Sequence, residues 1–196
     1  MQEKIDIIDC GIGNLASVSN AFKLLGAEAT ITSTPKGIEQ ADKIVLPGVG
    51  AFGYFMSQLR EKNLENPLKN EIREQKPYLG ICLGMQALFA KSEESPGIAG
   101  LGMIEGKVVR FTQGKVPQVG WNTVTPLTNG IVEEGCAYFV NSYYCKPENE
   151  EYISEQSDYF GKFACAIEKE NVFAVQFHPE RSGKYGLELL RRWLEC

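Results

Sequence analysis

The sequence is short of several things, and each shortage removes a class of function. It has a single histidine in 196 residues and no C-x-x-C pair among its six cysteines, so the ligand spacings of a zinc site are missing. Basic residues do not dominate: 20 Lys and Arg stand against 25 Asp and Glu, a formal net charge of −5. A nucleic-acid surface normally carries a basic stripe, and none is present here. No apolar run approaches the roughly 18 residues that a membrane span needs. No basic segment followed by an apolar one opens the chain, so no signal peptide is expected. The six cysteines are then expected as free thiols in a soluble, cytoplasmic protein.

What remains is ordinary globular composition, 43% hydrophobic and 23% charged, enough for one domain over residues 1–196. The first half alternates strand and helix signals. Residues 4–9 read as an apolar strand, Asn14 as the cap of a helix carrying Leu15, Val18, Phe22 and Leu25, and Gly26 as its stop. Strands are expected at residues 29–32, 43–46 and 78–81, with helices through Phe52, Phe55, Met56 and Leu59, through Leu68 and Ile72, and through Met85, Leu88 and Phe89. Alternating strands and helices make βαβ units and a parallel sheet. The second half reads differently. Strands at residues 107–111, 121–125, 137–144, 162–168 and 172–177 are separated by Gly, Pro, Asn and acidic turns. They predict antiparallel additions to the sheet, closed by an amphipathic helix through Leu187, Leu190 and Leu194. Residues 91–97 read as a surface loop.

Gly80-Ile81-Cys82-Leu83-Gly84 falls where a strand should turn into a helix. G-x-C-x-G is the cysteine form of a nucleophile elbow, in which small residues leave room for a sharp turn. Ligands bind at the carboxyl ends of strands in open α/β sheets, and a helix N-terminus favours a thiolate. The other five cysteines lack flanking glycines at this spacing and read as structural. A cysteine nucleophile needs a base, and the only histidine is His178, in Gln176-Phe177-His178-Pro179-Glu180 just past the last expected strand. In extended backbone residues i and i+2 point the same way, so Glu180 can reach the imidazole. Leu46-Pro47-Gly48-Val49-Gly50 ends another strand. Its glycine-rich backbone can point N–H groups at a developing oxyanion, with the Leu83 N–H as a second donor.

These three pieces together resemble a class I triad glutamine amidotransferase. Asp9 to Leu15, Leu46 to Phe52, Gly80 to Gln86, Lys115 to Asn122, Tyr138 to Tyr143 and His178 to Glu180 occur in order along the chain, and in that detail it is similar to the glutaminase subunits of imidazole glycerol phosphate synthases. The resemblance implies a flavodoxin-like three-layer α/β domain and a thioester mechanism without a cofactor. Cys82 would attack the glutamine amide, with His178 and Glu180 completing the triad. Gly48, Val49 and Leu83 would form the oxyanion site, and Gly50, Gln86, Tyr138, Phe139, Val140, Asn141 and Ser142 would hold glutamine. It also implies a separate cyclase subunit of (β/α)₈-barrel fold that receives ammonia through a protected channel. One domain uses up the whole chain, which agrees with an acceptor bound elsewhere.

The chain departs from that pattern at three positions. Cys10 stands where tyrosine is common, and Gln118 and Asn141 stand where histidine is usual. A second acceptor therefore stays open, a synthase that modifies a nucleotide sugar or a glycan. Three other readings compete. Gly11-Ile12-Gly13-Asn14-Leu15-Ala16 matches a dinucleotide fingerprint, but Thr32-Ser33-Thr34 supplies no ribose-binding acid at the end of the second strand. A cysteine hydrolase or chaperone-like protein of similar fold, in a group with His directly after the nucleophile, conflicts with Leu83. A catalytically idle binding partner conflicts with the intact triad.

Overall fold

The structure, a computed structural model, describes residues 4–127, 131 and 133–196. Residues 1–3, part of the segment read for an export signal, lie outside the described residues.

In chain order the first half runs β1 (Ile5–Ile8), α1 (Leu15–Leu24), β2 (Ala29–Thr32), α2 (Pro35–Gln40), β3 (Lys43–Gly48), α3 (Phe52–Glu61), α4 (Glu65–Arg73), β4 (Tyr78–Cys82) and α5 (Leu83–Gln86). The second half runs β5 (Phe89–Ser92), β6 (Ile104–Arg110), β7 (Gln118–Pro126), β8 (Gly135–Asn141), β9 (Tyr143–Pro147), β10 (Ile153–Asp158), β11 (Lys162–Lys169), β12 (Val172–Val175) and α6 (Gly183–Glu195). The sheet order is β2-β1-β3-β4-β12-β11-β10-β7-β8. Its first five strands pair in parallel, and from β11 onward the pairs are antiparallel. The parallel order is the flavodoxin-like one.

Strands β1, β3, β4 and β12 are buried along their whole length, because helices cover both faces. Alternation decides which residue faces which layer. Ile8, Ile44 and Leu46 pack under α2–α5, while Ile7, Val45 and Ile81 pack under α1 and α6 with Phe22, Leu189 and Trp193. All five parallel strands point their carboxyl ends to one edge. There Gly48 pairs in register with Cys82, and Val175 with Ile81. Cys82 and the segment leading to His178 therefore meet on that edge.

Several expectations change. The helix expected through Met85, Leu88 and Phe89 is one turn, and Phe89 opens β5 instead. The carbonyls of Ala87, Leu88 and Ala90 accept from Leu101, Met103, Ile104 and Gly100, so a distant segment takes the groups a longer helix would need. Lys91 and Ser92, read as loop, belong to β5. The single strand expected over residues 137–144 is broken at Ser142 into β8 and β9. Helix α2, capped by the Thr34 hydroxyl accepting from Gly37 N–H, and the polar strand β10 carried too little apolar periodicity to be read. Asn14 sits at the α1 N-cap without a side-chain capping bond, and Gly26 ends the helix at φ +77°.

Candidate active site

Cys82 is the last residue of β4 and the N-cap of α5, at φ +55° and ψ −105°. A non-glycine residue there costs on the order of 1–3 kcal/mol and persists only where its surroundings enforce it. The flanking glycines show how. A Cβ on Gly84 would collide with the carbonyl oxygen of Leu46, and one on Gly80 would lie 2.7 Å from the carbonyl oxygen of Gly84. Both positions are thus closed to any side chain, and the turn thrusts the Cys82 sulfur out at the strand edge. Gly48 is packed the same way, against Phe55 and Leu83.

His178 leaves β12 in extended conformation. Its Nδ1 donates to Glu180 Oε1 at 2.9 Å, and the two side chains are 7% and 2% exposed. Cys82 lies close enough to the imidazole to act on its proton. Burial alone would lower the affinity of this ring for its proton. Cys82 and Glu180 together outweigh burial, so the His178 pKa lies well above its ordinary range. Backbone locks the ring's base. His178 N–H donates to the Tyr138 carbonyl at 3.0 Å, and Ser182 Oγ donates to the His178 carbonyl at 2.7 Å while accepting from Tyr138 N–H at 2.9 Å.

The three side chains open on a cavity of about 340 Å³, a size suited to a small amino acid. Of the residues singled out in the sequence, Val49, Gly50, Leu83, Gln86, Val140, Asn141 and Ser142 also line it. Three do not. Gly48 is buried beneath, on the strand paired with Cys82. Phe139 points into the core against Phe163 and Phe177, since neighbours on a strand face opposite ways. Tyr138 packs on Trp121 and under the Arg181 guanidinium, 4.4 Å from its ring centroid.

Asn14, Glu94, Pro117, Tyr143 and Arg181, none of which the sequence assigned to the site, complete the wall. Glu94 sits in the segment read as a surface loop, yet its Oε2 accepts from Phe52 N–H at 2.7 Å and Ser95 Oγ accepts from Gly53 N–H at 2.9 Å. These two residues cap α3 and hold the loop at the cavity. Gln176, quoted with His178 but given no role there, is fully buried two residues before it, and its Nε2 donates to Cys82 Sγ at 3.6 Å. Gln118 and Asn141, two of the three unusual positions, are direct partners across β7 and β8. Both are buried, and among the described residues neither Gln118 Oε1 nor Asn141 Oδ1 has a hydrogen-bond partner.

The sequence model of the family described as glutamine amidotransferase class-I matches residues 6–195. Among similar proteins is the imidazole glycerol phosphate synthase subunit HisH of Methanothermobacter thermautotrophicus, 47% identical over 97% of this chain and 98% of the relative. The HisH subunit of Thermococcus kodakarensis is 48% identical over 96% of this chain and 98% of the relative. Among solved structures, a glutamine amidotransferase aligns at a TM-score of 0.81 over 97% of both chains with 20% identity. PurLQS from Thermotoga maritima aligns at 0.81 over 100% of this chain and 99% of that one with 17% identity. At such identities the structural likeness speaks for the fold.

Proposed function

We propose a function from the premise that this chain belongs to the class-I glutamine amidotransferase family. It is a glutaminase that hydrolyses the side-chain amide of glutamine and supplies ammonia to the cyclase making imidazole glycerol phosphate in histidine biosynthesis. The relatives favour that acceptor over the sugar-modifying synthase left open by Gln118 and Asn141. The observation that carries the reading is the cysteine forced onto a strained elbow, facing one cavity with a histidine that a buried carboxylate holds.

In this reading the Cys82 thiolate adds to the amide carbon of glutamine. The oxygen that becomes negative is met by backbone N–H groups of Leu83 and of the Gly48-Val49 segment, in the manner of an oxyanion hole. The His178 imidazolium gives its proton to the amine as the C–N bond breaks, so ammonia leaves neutral and a glutamyl thioester remains. Now neutral, His178 takes a proton from water, which adds to the thioester; glutamate leaves and the thiolate–imidazolium pair is restored. Glu180 keeps the ring in the right tautomer throughout. Glu94 and Arg181 give the cavity wall one charge of each sign, as the zwitterionic end of glutamine requires. Gly50, Gln86, Val140, Asn141 and Ser142 complete the glutamine site, with Tyr138 and Phe139 contributing through backbone and packing.

Ammonia released to water becomes ammonium and loses its nucleophilicity, so the acceptor should seal the cavity. A surface for it lies beside the rim. Val119 and Trp121 on β7 are 60% and 59% exposed, and they pair across the ladder with Val140, which lines the cavity, and Tyr138. An exposed apolar strip of this kind marks an interface. The occupant we infer is a separate (β/α)₈-barrel cyclase forming a heterodimer with an ammonia channel, in the cytoplasm. One domain over residues 1–196 serves the glutaminase half, and among the described residues no helix is long and apolar enough to cross a membrane. In the complex, Cys82→Ala should abolish synthesis from glutamine and leave synthesis from ammonium salts intact. Continued use of glutamine would remove Cys82 as nucleophile.

A further inference from the structure

Behind the nucleophile runs a chain of buried amides whose direction is fixed by backbone. The carbonyl oxygen of Tyr143 can only accept. Gln86 approaches it at 3.3 Å and Gln176 Oε1 at 2.9 Å, with the same amide nitrogen, Nε2. If the Gln86 amide were turned over, its oxygen would face the Tyr143 carbonyl and two acceptors would meet. The carbonyl therefore sets Gln86 as donor, Gln86 sets the Gln176 oxygen as acceptor, and the remaining end of Gln176, its NH₂ group, must face the sulfur of Cys82, 3.6 Å away. Gln176 is completely buried, so water offers its amide no alternative partner. Buried amides of this kind are held in one orientation by their full set of partners.

Gln176 thus gives the sulfur a hydrogen-bond donor from the same edge of the sheet as His178, but with a proton it never surrenders. A thiolate is a better acceptor than a thiol, and a hydrogen bond to the charged form favours that form. The distinction matters for the cycle. His178 must release its proton to the leaving ammonia, and for part of the reaction it cannot serve as a cationic donor to sulfur. An amide donor persists through every step. It can also stabilise the sulfur when the thioester collapses and the thiolate departs.

We propose that Gln176 is a catalytic residue, a permanent donor that stabilises the Cys82 thiolate, and that Gln86 is the positioning residue that sets its direction from the Tyr143 carbonyl. Both hydrogens of the Gln86 amide lie on the nitrogen already committed to Gln176 and Tyr143, which leaves its oxygen to face the cavity. The inference rests on the reading of Cys82 as the nucleophile, but its test needs no turnover.

The test follows alkylation of Cys82 by iodoacetamide against pH in the full chain, with the labelled residue read by peptide mass spectrometry so that the other five cysteines do not contribute. Gln176→Met keeps shape and removes the donor. It should move the alkylation midpoint upward by about one pH unit, equivalent to roughly tenfold less reactive thiolate at neutral pH. kcat for glutamate release should fall by at least as much, with KM within about twofold, because the interaction is with the reacting atom and not with the ground-state substrate. Gln86→Met should shift the midpoint in the same direction by less, and the double variant should go no further than Gln176→Met alone, as expected for residues in one chain. Midpoints unmoved in Gln176→Met, with melting intact, would overturn the proposal. Should that variant fail to fold, Gln86→Met decides in its place, a shift upholding the relay and an unmoved midpoint refuting it. If Cys82→Ala still hydrolysed glutamine, the nucleophile reading would fall while the midpoint shifts stood, so the two failures are told apart.

Discussion

Replacing Glu180 by Gln keeps the size of the side chain and its place beside His178 while removing the charge. In the native site the contact is 2.9 Å between groups only 7% and 2% exposed, so solvent screens little of it. Hydrogen bonds to charged groups in such settings contribute about 1.5–3 kcal/mol, and 1.4 kcal/mol is a factor of ten in rate or equilibrium. The expected loss in kcat is therefore about 10- to 100-fold. The pH profile carries the sharper signature. Two groups, Cys82 and Glu180, hold the proton on His178 against the effect of burial and raise its pKa above the ordinary 6.5. The imidazolium persists as pH rises until the raised pKa is crossed, and only then is the thiolate–imidazolium pair lost. With Glu180→Gln one of the two supports is gone, so the alkaline limb of kcat/KM should move to lower pH by about one to two units. The same linkage applies to stability: the contribution of His178 is fully present below pH 6.5 and is lost as pH rises through the raised folded value, so the variant should lose it at lower pH. Glutamate release measured from pH 6 to 10 by a coupled assay would test this. An alkaline limb that stays in place, with kcat reduced less than about threefold, would refute the role given to Glu180.

Three further perturbations follow from the same geometry. Gly84→Ala places a methyl group against the Leu46 carbonyl, a backbone atom with no room to retreat, so it should cost more than about 3 kcal/mol and remove both the thermal transition and glutaminase activity; a variant melting like wild type would contradict the packing account. Glu155 is wholly buried, its Oε1 has no partner among the described residues, and burial raises its pKa to about 7. Folding should therefore weaken by about 3 kcal/mol as pH climbs from 4.5 to 7, and urea titrations should find Glu155→Gln free of most of that decline. Trp121→Ala trims an exposed ring from the β7 strip, so its melting temperature should match wild type while the Kd for the cyclase, measured by calorimetry, weakens at least tenfold.

The meeting of Cys82, His178 and Glu180 at one sheet edge was legible because its signals are local. Gly80 and Gly84 announce a turn that admits no side chain, and a lone histidine followed two residues later by a carboxylate needs no long-range knowledge. The alternating first half gave the parallel sheet for the same reason. What failed to show was set at a distance. Met85, Leu88 and Phe89 have helical spacing, but residues 100–104 capture the carbonyls that a longer helix would use. Strand β10 reads as polar, and only its position between β11 and β7 buries Ser154, Glu155 and Ser157. Tyr138 to Ser142 read as one binding strand, yet the pleat turns Phe139 into the core, and only the break at Ser142 lets Val140, Asn141, Ser142 and Tyr143 all reach the cavity. Glu94 and Arg181 carried no motif of their own, and Gln176, though it stands in the His178 segment, meets the Cys82 sulfur only through the fold.

The measurement that bears most directly on the central claim is glutamate release from glutamine by the purified chain, alone and with its cyclase, for wild type and Cys82→Ala. The account predicts release by wild type that rises when the cyclase binds, and none from Cys82→Ala in either condition. Release that survives the loss of Cys82, or that is absent from wild type even with the cyclase bound, would contradict it.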